Sequence, residues 1–253
     1  MSILTPSEFE RIHKTAYNYI NLIQRLENPA LKHFVHRVDG TFVVENNGFL
    51  IPYLEPPFNT PEIIDHLFHK EIFGDQLLLA GLPKEHFKLF EKHPSFEIDW
   101  NEPCLLYVYE KEPIEIAQEG ESGYRGLTLD HLREADLDTV FEYYAYKDDG
   151  IDYIREIIKT QPTFCLRDGD TPVSWLVRRE DGSMGIMYTM ENYRQLGIGI
   201  FLSQHMINKI LDMGQTPYLH IHHENIPSIR LAESLGFRLV GDIHWFGVIR
   251  KAL

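Results

Sequence analysis

The spacing of apolar side chains predicts a helix at the start of the chain and a hairpin after it. Apolar residues recur at intervals of three and four over residues 6–36, and Pro6 suits a first helical turn. The runs 41–44 and 48–54 flank the step Asn46-Asn47-Gly48, which tolerates positive φ, so we predict that they pair as strands.

The rest of the first half alternates helical and strand-like patterns. We predict helices over residues 61–73 and 83–92 and strands over residues 76–80 and 104–109. Residues 110–126 have the composition of a loop, with Glu-Lys-Glu-Pro followed by Gln-Glu-Gly-Glu-Ser-Gly. We therefore predict two domains, a mixed α/β domain over residues 1–120 and a second domain over residues 125–253.

The second half follows the order α-α-β-β-β-α-β-α-β. Its predicted helices cover residues 136–146, 151–160, 200–213 and 227–235, and its strands cover residues 164–167, 173–178, 185–189, 218–222 and 240–249. Asp168-Gly169-Asp170 and Glu180-Asp181-Gly182 favour tight turns between consecutive strands. The predicted fold class is α+β, with a mixed, mostly antiparallel central sheet flanked by helices.

Charge narrows the classes of partner. The 38 acidic and 24 basic residues give a formal charge of −14, which repels nucleic-acid backbones and anionic membranes. No apolar run approaches the roughly 20 residues that span a bilayer. We expect no nucleic-acid or membrane partner, although helix N-termini can still hold a small phosphorylated ligand.

Cysteine content and the first residues bear on location. Cys104 and Cys165 are the two cysteines, and both lie in apolar stretches, so we expect no disulfide framework and no CxxC metal pair. Residues 1–28 lack both a continuous apolar core and an arginine-rich, acid-poor character. We expect a cytoplasmic protein, and the family resemblance described below leaves a mitochondrial location open.

A glycine-containing turn between a predicted strand and helix carries the main candidate site. The turn reads Arg194-Gln195-Leu196-Gly197-Ile198-Gly199. Glycines allow close approach of the backbone to a ligand, and the first helical N–H groups have no intrahelical partner. With the helix dipole, and with Arg194 as an added cation, such a turn can bind pyrophosphate. On this motif by itself, glycines that merely shape the turn remain the alternative.

A second motif, Asn225 to Phe237 (Asn-Ile-Pro-Ser-Ile-Arg-Leu-Ala-Glu-Ser-Leu-Gly-Phe), follows the next predicted strand. Together the two motifs resemble the GNAT acyltransferase superfamily, and the resemblance is strongest to the glycine N-acyltransferase-like (FR47-like) branch. Further matching residues are Gln161-Pro-Thr-Phe-Cys-Leu166, Thr171-Pro-Val-Ser-Trp175, Gly182, Met184 and Tyr193-Arg194. The resemblance covers residues 125–253, and it implies a degenerate acyltransferase-like domain in the first half.

The resemblance implies an acyl-coenzyme A substrate, a small amine acceptor and no metal. The first motif would bind the coenzyme A pyrophosphate, and the second, with Asn225 and Ser228, would lie along the pantetheine arm. A backbone N–H of the strand before the glycine turn would stabilise the oxyanion, which corresponds to Met187, Tyr188 and Thr189.

The general base is the open question. Ser183 stands where many GNAT members have a glutamate, and Ala232 stands where a tyrosine is common. His220 is our first candidate, because histidine is a suitable base at neutral pH and matches the family pattern; a buried histidine bonded to a neighbouring strand is the alternative. Glu191 is the second candidate, with a solvated loop carboxylate as its alternative. His220, His222, His223 and Glu224 could also be read as a zinc site.

Three functions follow from these residues. The first is an acyl-CoA:amine N-acyltransferase acting on a small acceptor such as an amino acid, by direct attack in a ternary complex, since neither cysteine has an obvious partner base. The second is a non-catalytic acyl-CoA-binding protein, and the third is an acyltransferase acting on a protein amine. The acyl chain, the acceptor and the oligomeric state are left open.

Overall fold

The computed structural model describes residues 4–29, 31–116 and 123–251. Contacts group the chain into two compact units. The first comprises Met1–Leu106, Ile221–Glu224 and Leu239–Leu253, and the second comprises Tyr107–His220 and Asn225–Arg238. The domain boundary near residues 120–125 stays a prediction, because grouping by contacts does not measure independent folding.

The first unit is built around a mixed sheet with helices. Its helices are α1 (Pro6–Lys14), α2 (Ile20–Glu27), α3 (Pro61–Leu67), α4 (Lys70–Phe73) and α5 (Lys84–Glu91). Its strands are β1 (Phe34–Val38), β2 (Thr41–Asn46), β3 (Phe49–Pro52), β4 (Gln76–Pro83), most of β5 (Phe96–Val108) and most of β12 (Arg238–Arg250). The strand order of this sheet is β1-β2-β3-β4-β12-β5, with β11 (Tyr218–His222) following β5. Strands β3 and β4 are parallel, and β12 runs antiparallel to β4.

The long helix predicted over residues 6–36 is wrong in its last part. A 3₁₀ turn, Ala16–Tyr19, separates α1 from α2, and Asn28 ends α2 with an extended ψ of 108°. Pro29 explains this end, because a proline disfavours the helical conformation of the residue before it. Phe34–Val38 then forms β1, which pairs with β2 through the turn Asp39-Gly40, both at positive φ.

Two other predicted elements of the first unit differ in extent. The helix predicted over residues 61–73 divides into α3 and α4, with Phe68 at the end of α3 in a non-helical conformation. Strand β5 begins at Phe96 and not at residue 104. Its first half, to which no element was assigned from the sequence, alternates between exposed and partly buried positions, as expected of a strand with one face toward solvent.

Among its described residues, the second unit contains four α-helices and a second sheet. The helices are α6 (Leu137–Glu142), α7 (Ile151–Thr160), α8 (Ile198–Asp212) and α9 (Ile226–Leu235). The strands β6 (Gly123–Tyr124), β7 (Leu127–Asp130), β8 (Thr163–Asp168), β9 (Thr171–Arg178) and β10 (Met184–Thr189) form an antiparallel sheet of order β10-β9-β8-β7-β6. Strands β6 and β7 were missed by the sequence analysis, and α6 ends four residues earlier than the predicted 146.

A buried ion-pair network centred on Arg167 connects the first elements of the second unit. Arg167, on β8, is 3% exposed, and its guanidinium uses all five N–H groups. It donates twice to Asp136, at 3.0 and 2.6 Å, once to Asp130 at 2.7 Å, and to the carbonyls of His131 and Asp170. The network therefore ties β8 to β7 and to the residues that precede α6.

Within the described ranges, no helix is long and apolar enough to cross a membrane.

A carboxylate on α1 links this helix to β1 of the same unit. Arg37 donates from Nε and Nη2 to the two oxygens of Glu8, at 2.7 and 2.8 Å, and the N–H of Thr5 donates to Glu8 at 2.7 Å. The hydrogen bonds from Arg37, followed by those from Thr5, outweigh burial and lower the pKa of Glu8 from 4.5 to about 2. Because the folded pKa lies below the unfolded one, this stabilisation is present above pH 4.5 and is lost as the pH falls toward 2.

Glu8→Gln should lower the free energy of unfolding by about 1–2 kcal/mol at pH 7. The difference from wild type should disappear as the pH approaches 2, where Glu8 itself becomes protonated. Urea unfolding at a series of pH values measures this. Glu10→Gln is the matched control on the same helix, because its pair with Lys14 is exposed, and it should change little. Equal effects of the two variants would contradict the assignment.

Candidate active site

The glycine turn lies between the end of β10 and the start of α8. A short 3₁₀ turn, Glu191–Tyr193, follows β10, and Gln195 and Gly197 then adopt positive φ values of 62° and 79°. Gly197 is the N-cap of α8 and carries no side-chain cap, and the N–H of Phe201 donates to its carbonyl at 3.1 Å. The amides before Phe201 have no intrahelical acceptor, so this turn has the chemistry of an anion site.

Tyr124 supports the turn from a strand that the sequence analysis missed. Its hydroxyl donates to the carbonyl of Leu196 at 3.1 Å, and its ring stacks on Phe201 with centroids 4.6 Å apart. A Cβ added to Gly197 would lie 2.6 Å from the Tyr124 hydroxyl. Glycine is thus required at position 197 both because the backbone is left-handed and because the Tyr124 hydroxyl approaches closely. Nothing in the local sequence of Tyr124 signals the contact, because the two residues are far apart in the chain.

Gly199 brings the two motifs together. A Cβ at this position would lie 3.6 Å from a methyl of Leu231 on α9 and 3.8 Å from the sulfur of Met187 on β10. These are ordinary contact distances, so the start of α8 packs directly on both neighbours. The first motif, the second motif and the strand before the turn therefore form one local structure.

Arg194 points back along the strand and not over the helix N-terminus. Its Nε donates to the carbonyl of Thr189 at 2.9 Å, and its Nη2 donates to the Tyr188 hydroxyl at 3.3 Å. Glu191 lies 3.9 Å from its Nη1. The guanidinium is 48% exposed, so its remaining N–H groups face solvent beside the turn.

A bulge shapes β10, which is the edge strand of its sheet. The pairing register with β9 shifts between Gly185 and Tyr188, and Ile186 has a φ of 52°, a conformation rare for a β-branched residue. The Ser174 hydroxyl donates to the carbonyl of Tyr188 at 2.8 Å and lies 2.7 Å from the Thr189 hydroxyl. The bulge leaves Ile186 and Met187 outside the register, on a strand that lies at one end of the described sheet.

In the second motif, Asn225 and Ser228 cap their own helix. The Asn225 side-chain oxygen accepts from the N–H of Ser228 at 3.2 Å, and Pro227 occupies the first turn. Ala232 is 1% exposed. The cap explains why Asn225 and Ser228 occur together, and it leaves the Ser228 hydroxyl available.

The candidate bases have different surroundings. His220, on β11, is half-buried, and its ring lies edge-on to that of Tyr218, with centroids 5.2 Å apart. Glu191 is 86% exposed, and its contact is with Arg194. Ser183 is 3% exposed, and its hydroxyl and N–H donate to Asp181 at 2.6 and 2.9 Å. Ser183 therefore serves the turn before β10 and not proton transfer.

The histidines proposed as zinc ligands are directed to separate carboxylates. His222 lies 3.9 Å from Glu102, and His223 lies 3.0 Å from Asp242. Among the residues that the structure describes, no group of three His, Cys, Asp or Glu side chains is arranged to hold a metal ion.

Comparisons with known proteins bear on the family. Residues 164–246 match the model of the FR47-like protein family. The glycine N-acyltransferase-like protein Keg1 of Rattus norvegicus is 24% identical over 106 residues, which is 42% of this chain. Those residues make up 36% of Keg1, so the match spans about a third of that relative.

Solved structures show the same fold over the whole chain. A Drosophila protein matches with a TM-score of 0.74 and 14% identity, over 97% of each chain. A tandem GNAT protein from the clavulanic acid biosynthesis pathway matches with a TM-score of 0.57 and 12% identity, over 92% of this chain and 88% of its own. The predicted α+β fold class and family resemblance are confirmed. Residues 164–246 therefore resemble the FR47-like family, and the described residues share the fold of solved GNAT proteins.

Proposed function

We propose that this protein is an acyl-coenzyme A-dependent N-acyltransferase, which transfers an acyl group to the amine of a small acceptor such as glycine or another amino acid. The observation that carries the proposal is the uncapped N-terminus of α8 behind the left-handed Gly197, packed through Gly199 on both β10 and α9. The FR47-like segment and the fold shared with GNAT proteins support acyl transfer as the general chemistry.

The residues of the turn fit the pyrophosphate of coenzyme A. The free amides of residues 196–200 and the positive end of the α8 dipole attract phosphate oxygens. Arg194 adds a half-exposed guanidinium beside the turn, and Gln195 and Ile198 complete the backbone path. Such a local site matters here, because the chain's formal charge of −14 otherwise repels an anionic ligand.

The open edge of β10 suits the acyl end of the substrate. A thioester oxygen that accepts from a backbone N–H of Met187, Tyr188 or Thr189 gains stabilisation as negative charge develops on it. The Ser174 hydroxyl holds the carbonyl of Tyr188 at 2.8 Å, which keeps this segment of backbone in place. Preorganised donors of this kind need no rearrangement when the amine attacks.

The reaction itself requires one new bond and one proton acceptor. The neutral amine attacks the thioester carbon, an N–C bond forms, the C–S bond breaks, and the coenzyme A sulfur leaves as a thiolate. The proton lost from the amine then balances the thiolate, so that the products are the amide and the free thiol. We assign the role of accepting the amine's proton to His220, with Glu191 as the second candidate.

His220→Ala should lower kcat by about 100-fold while leaving the KM for acyl-coenzyme A nearly unchanged, because general base catalysis contributes about 10²–10⁴-fold. Steady-state kinetics with the best acceptor measures both constants. His222→Ala is the matched control, since it lies two positions along the same strand beside Glu102. An unchanged kcat for His220→Ala, with a large loss for Glu191→Gln, would transfer the role to Glu191.

Release of free thiol tests the proposal as a whole. The protein is incubated with acetyl-coenzyme A or benzoyl-coenzyme A and a panel of amino acids, with a basic peptide as the protein-type acceptor. Acceptor-stimulated thiol release identifies the enzyme and its acceptor class.

A non-catalytic acyl-coenzyme A-binding protein is the second candidate. It is favoured by the burial of Ser183 and Ala232, which stand where other members carry groups that handle protons. Measurable coenzyme A binding without any acceptor-stimulated thiol release would establish this candidate and contradict the enzyme.

A further inference from the structure

A pocket in the first unit lies where the 3₁₀ turn Ala16–Tyr19, the loop after β3 and the start of α5 meet. Its volume is about 240 Å³, which is below the roughly 300–1,000 Å³ typical of ligand sites and suits only a small molecule. The residues that line it are Asn18, Glu55, Pro56, Asn59, Pro83, Glu85, His86 and Leu89. None of them belongs to the glycine turn or to the second motif, so the pocket is a separate feature.

The pocket and the glycine-turn site follow equivalent elements in the order of strands and helices of their two units. In the second unit that site follows β10 and includes the start of α9, the helix after the next strand. In the first unit, Glu55 to Asn59 follow β3, and residues 83–89 open α5, the helix after β4. The two sites thus take the same place in the order of elements and have different side chains.

The chemistry of the lining differs from that of a phosphate site. Glu55 and Glu85 contribute two carboxylates, and none of the lining residues is Lys, Arg or Gly. Asn18 donates to Glu55 at 3.3 Å, which leaves the second carboxylate oxygen for a ligand. Glu85 lies in the first turn of α5 and already pairs with Lys88 at 3.2 Å, so Glu55 is the carboxylate that a ligand would meet. The lining repels phosphate and attracts cations.

His86 gives the pocket a buried polar group that lacks a protein partner. It is 6% exposed, its ring stacks on Tyr19 with centroids 5.9 Å apart, and its Nδ1 is buried without a hydrogen bond. Within residues 4–29, 31–116 and 123–251, neither ring nitrogen has a hydrogen-bond partner. Burial lowers the pKa of His86 to about 4, so the imidazole is neutral at pH 7 and has a free lone pair. Unpaired buried polar groups are costly, which favours a ligand that satisfies them.

We propose that this pocket binds a small organic cation that carries a primary ammonium group. The ammonium donates to Glu55 and to the imidazole of His86, and a short carbon chain packs against Pro56, Pro83 and Leu89. Asn18 and Asn59 supply further polar contacts for a second amine or hydroxyl group. The site is independent of the proposed acyl transfer, since it uses none of the same residues.

Titration of the full chain with putrescine, followed by heteronuclear NMR, tests the site. We expect saturable shifts at Asn18, Asn59 and Leu89, and no such shifts with succinate, a dianion of similar size. The side-chain amides of Asn18 and Asn59 report on this pocket, whereas Met187 and Tyr188 report on the candidate active site. Binding confined to the second group would overturn the proposal, whatever the outcome of the thiol-release assay.

Glu55→Gln should weaken putrescine binding at least about 10-fold, because a carboxylate that pairs with an ammonium is replaced by a neutral amide of the same shape. Glu71→Gln, an exposed carboxylate on α4 of the same unit, should leave the affinity unchanged. Equal affinities of the two variants, or equal binding of succinate and putrescine, would overturn the proposal. Glu55→Gln keeps the proposal testable even if a variant of the buried His86 fails to fold.

Discussion

Gly197→Ala is expected to weaken acetyl-coenzyme A binding by about 100- to 1000-fold, as measured by calorimetric titration. A left-handed backbone costs an alanine about 1–2 kcal/mol, and the contact of 2.6 Å between the new Cβ and the Tyr124 hydroxyl adds a cost of about 2 kcal/mol. A shift of the turn would relieve the backbone strain and the close contact. The shifted turn would no longer direct its amides at the pyrophosphate.

Two further variants separate strain from contact. Gly214→Ala carries the same left-handed strain, at φ +72°, at the other end of α8, but a Cβ there meets nothing within 4 Å. It should reduce stability slightly and leave the affinity unchanged. Adding Tyr124→Phe to Gly197→Ala removes the hydroxyl in contact and should recover about 10-fold of the lost affinity. No recovery would show that Tyr124 does not restrict the turn.

Arg167→Met is expected to lower the free energy of unfolding by about 3–5 kcal/mol, because it leaves the carboxylate of Asp136, 5% exposed, without its bidentate partner. The pKa of Arg167 is raised, chiefly by its hydrogen bonds to Asp136, so the guanidinium is charged at every accessible pH. Chemical unfolding followed by circular dichroism measures the loss.

The control for Arg167 is a more exposed arginine that also contacts two carboxylates. Arg155 also contacts two carboxylates, Glu134 and Asp152, but its side chain is 34% exposed. Arg155→Met should therefore cost less than about 1 kcal/mol. The double variant Arg167→Met/Asp136→Leu should recover much of the loss, because the unpaired charge is removed as well. Equal costs of the two single arginine variants would refute the role of burial.

Elements with strong local signals were predicted well from the sequence. The glycine turn, the helix α8 that follows it and the end of α9 at Gly236 carry their own cap and turn residues, and these act within a few positions. Strand β1 was missed even though the Asp39-Gly40 turn marks it. The helical period continues past Pro29, and a period alone does not show where a helix ends.

The parts of the site that the sequence could not show depend on distant contacts. Tyr124 reaches Leu196 from a two-residue strand, and Ser174 fixes the bulge of β10 from the neighbouring strand. The unusual φ of Ile186 is a product of that sheet pairing and not of its own side chain. Likewise, the acidic pocket brings together Asn18, Glu55 and His86 from separate segments. Local sequence propensity carries no information about contacts between residues that are far apart in the chain.

The position of β12 has a consequence for how the chain folds as it is synthesised. In the first unit's sheet, β12 lies between β4 and β5, so those two strands are not neighbours in the finished sheet. Residues 239–250 leave the ribosome more than a hundred residues after β5. Until then, β4 and β5 expose unpaired edges that can pair with other chains. The sheet can therefore close between β4 and β5 only after β12 has been synthesised, and these two edges are the places where we expect mispairing before that point.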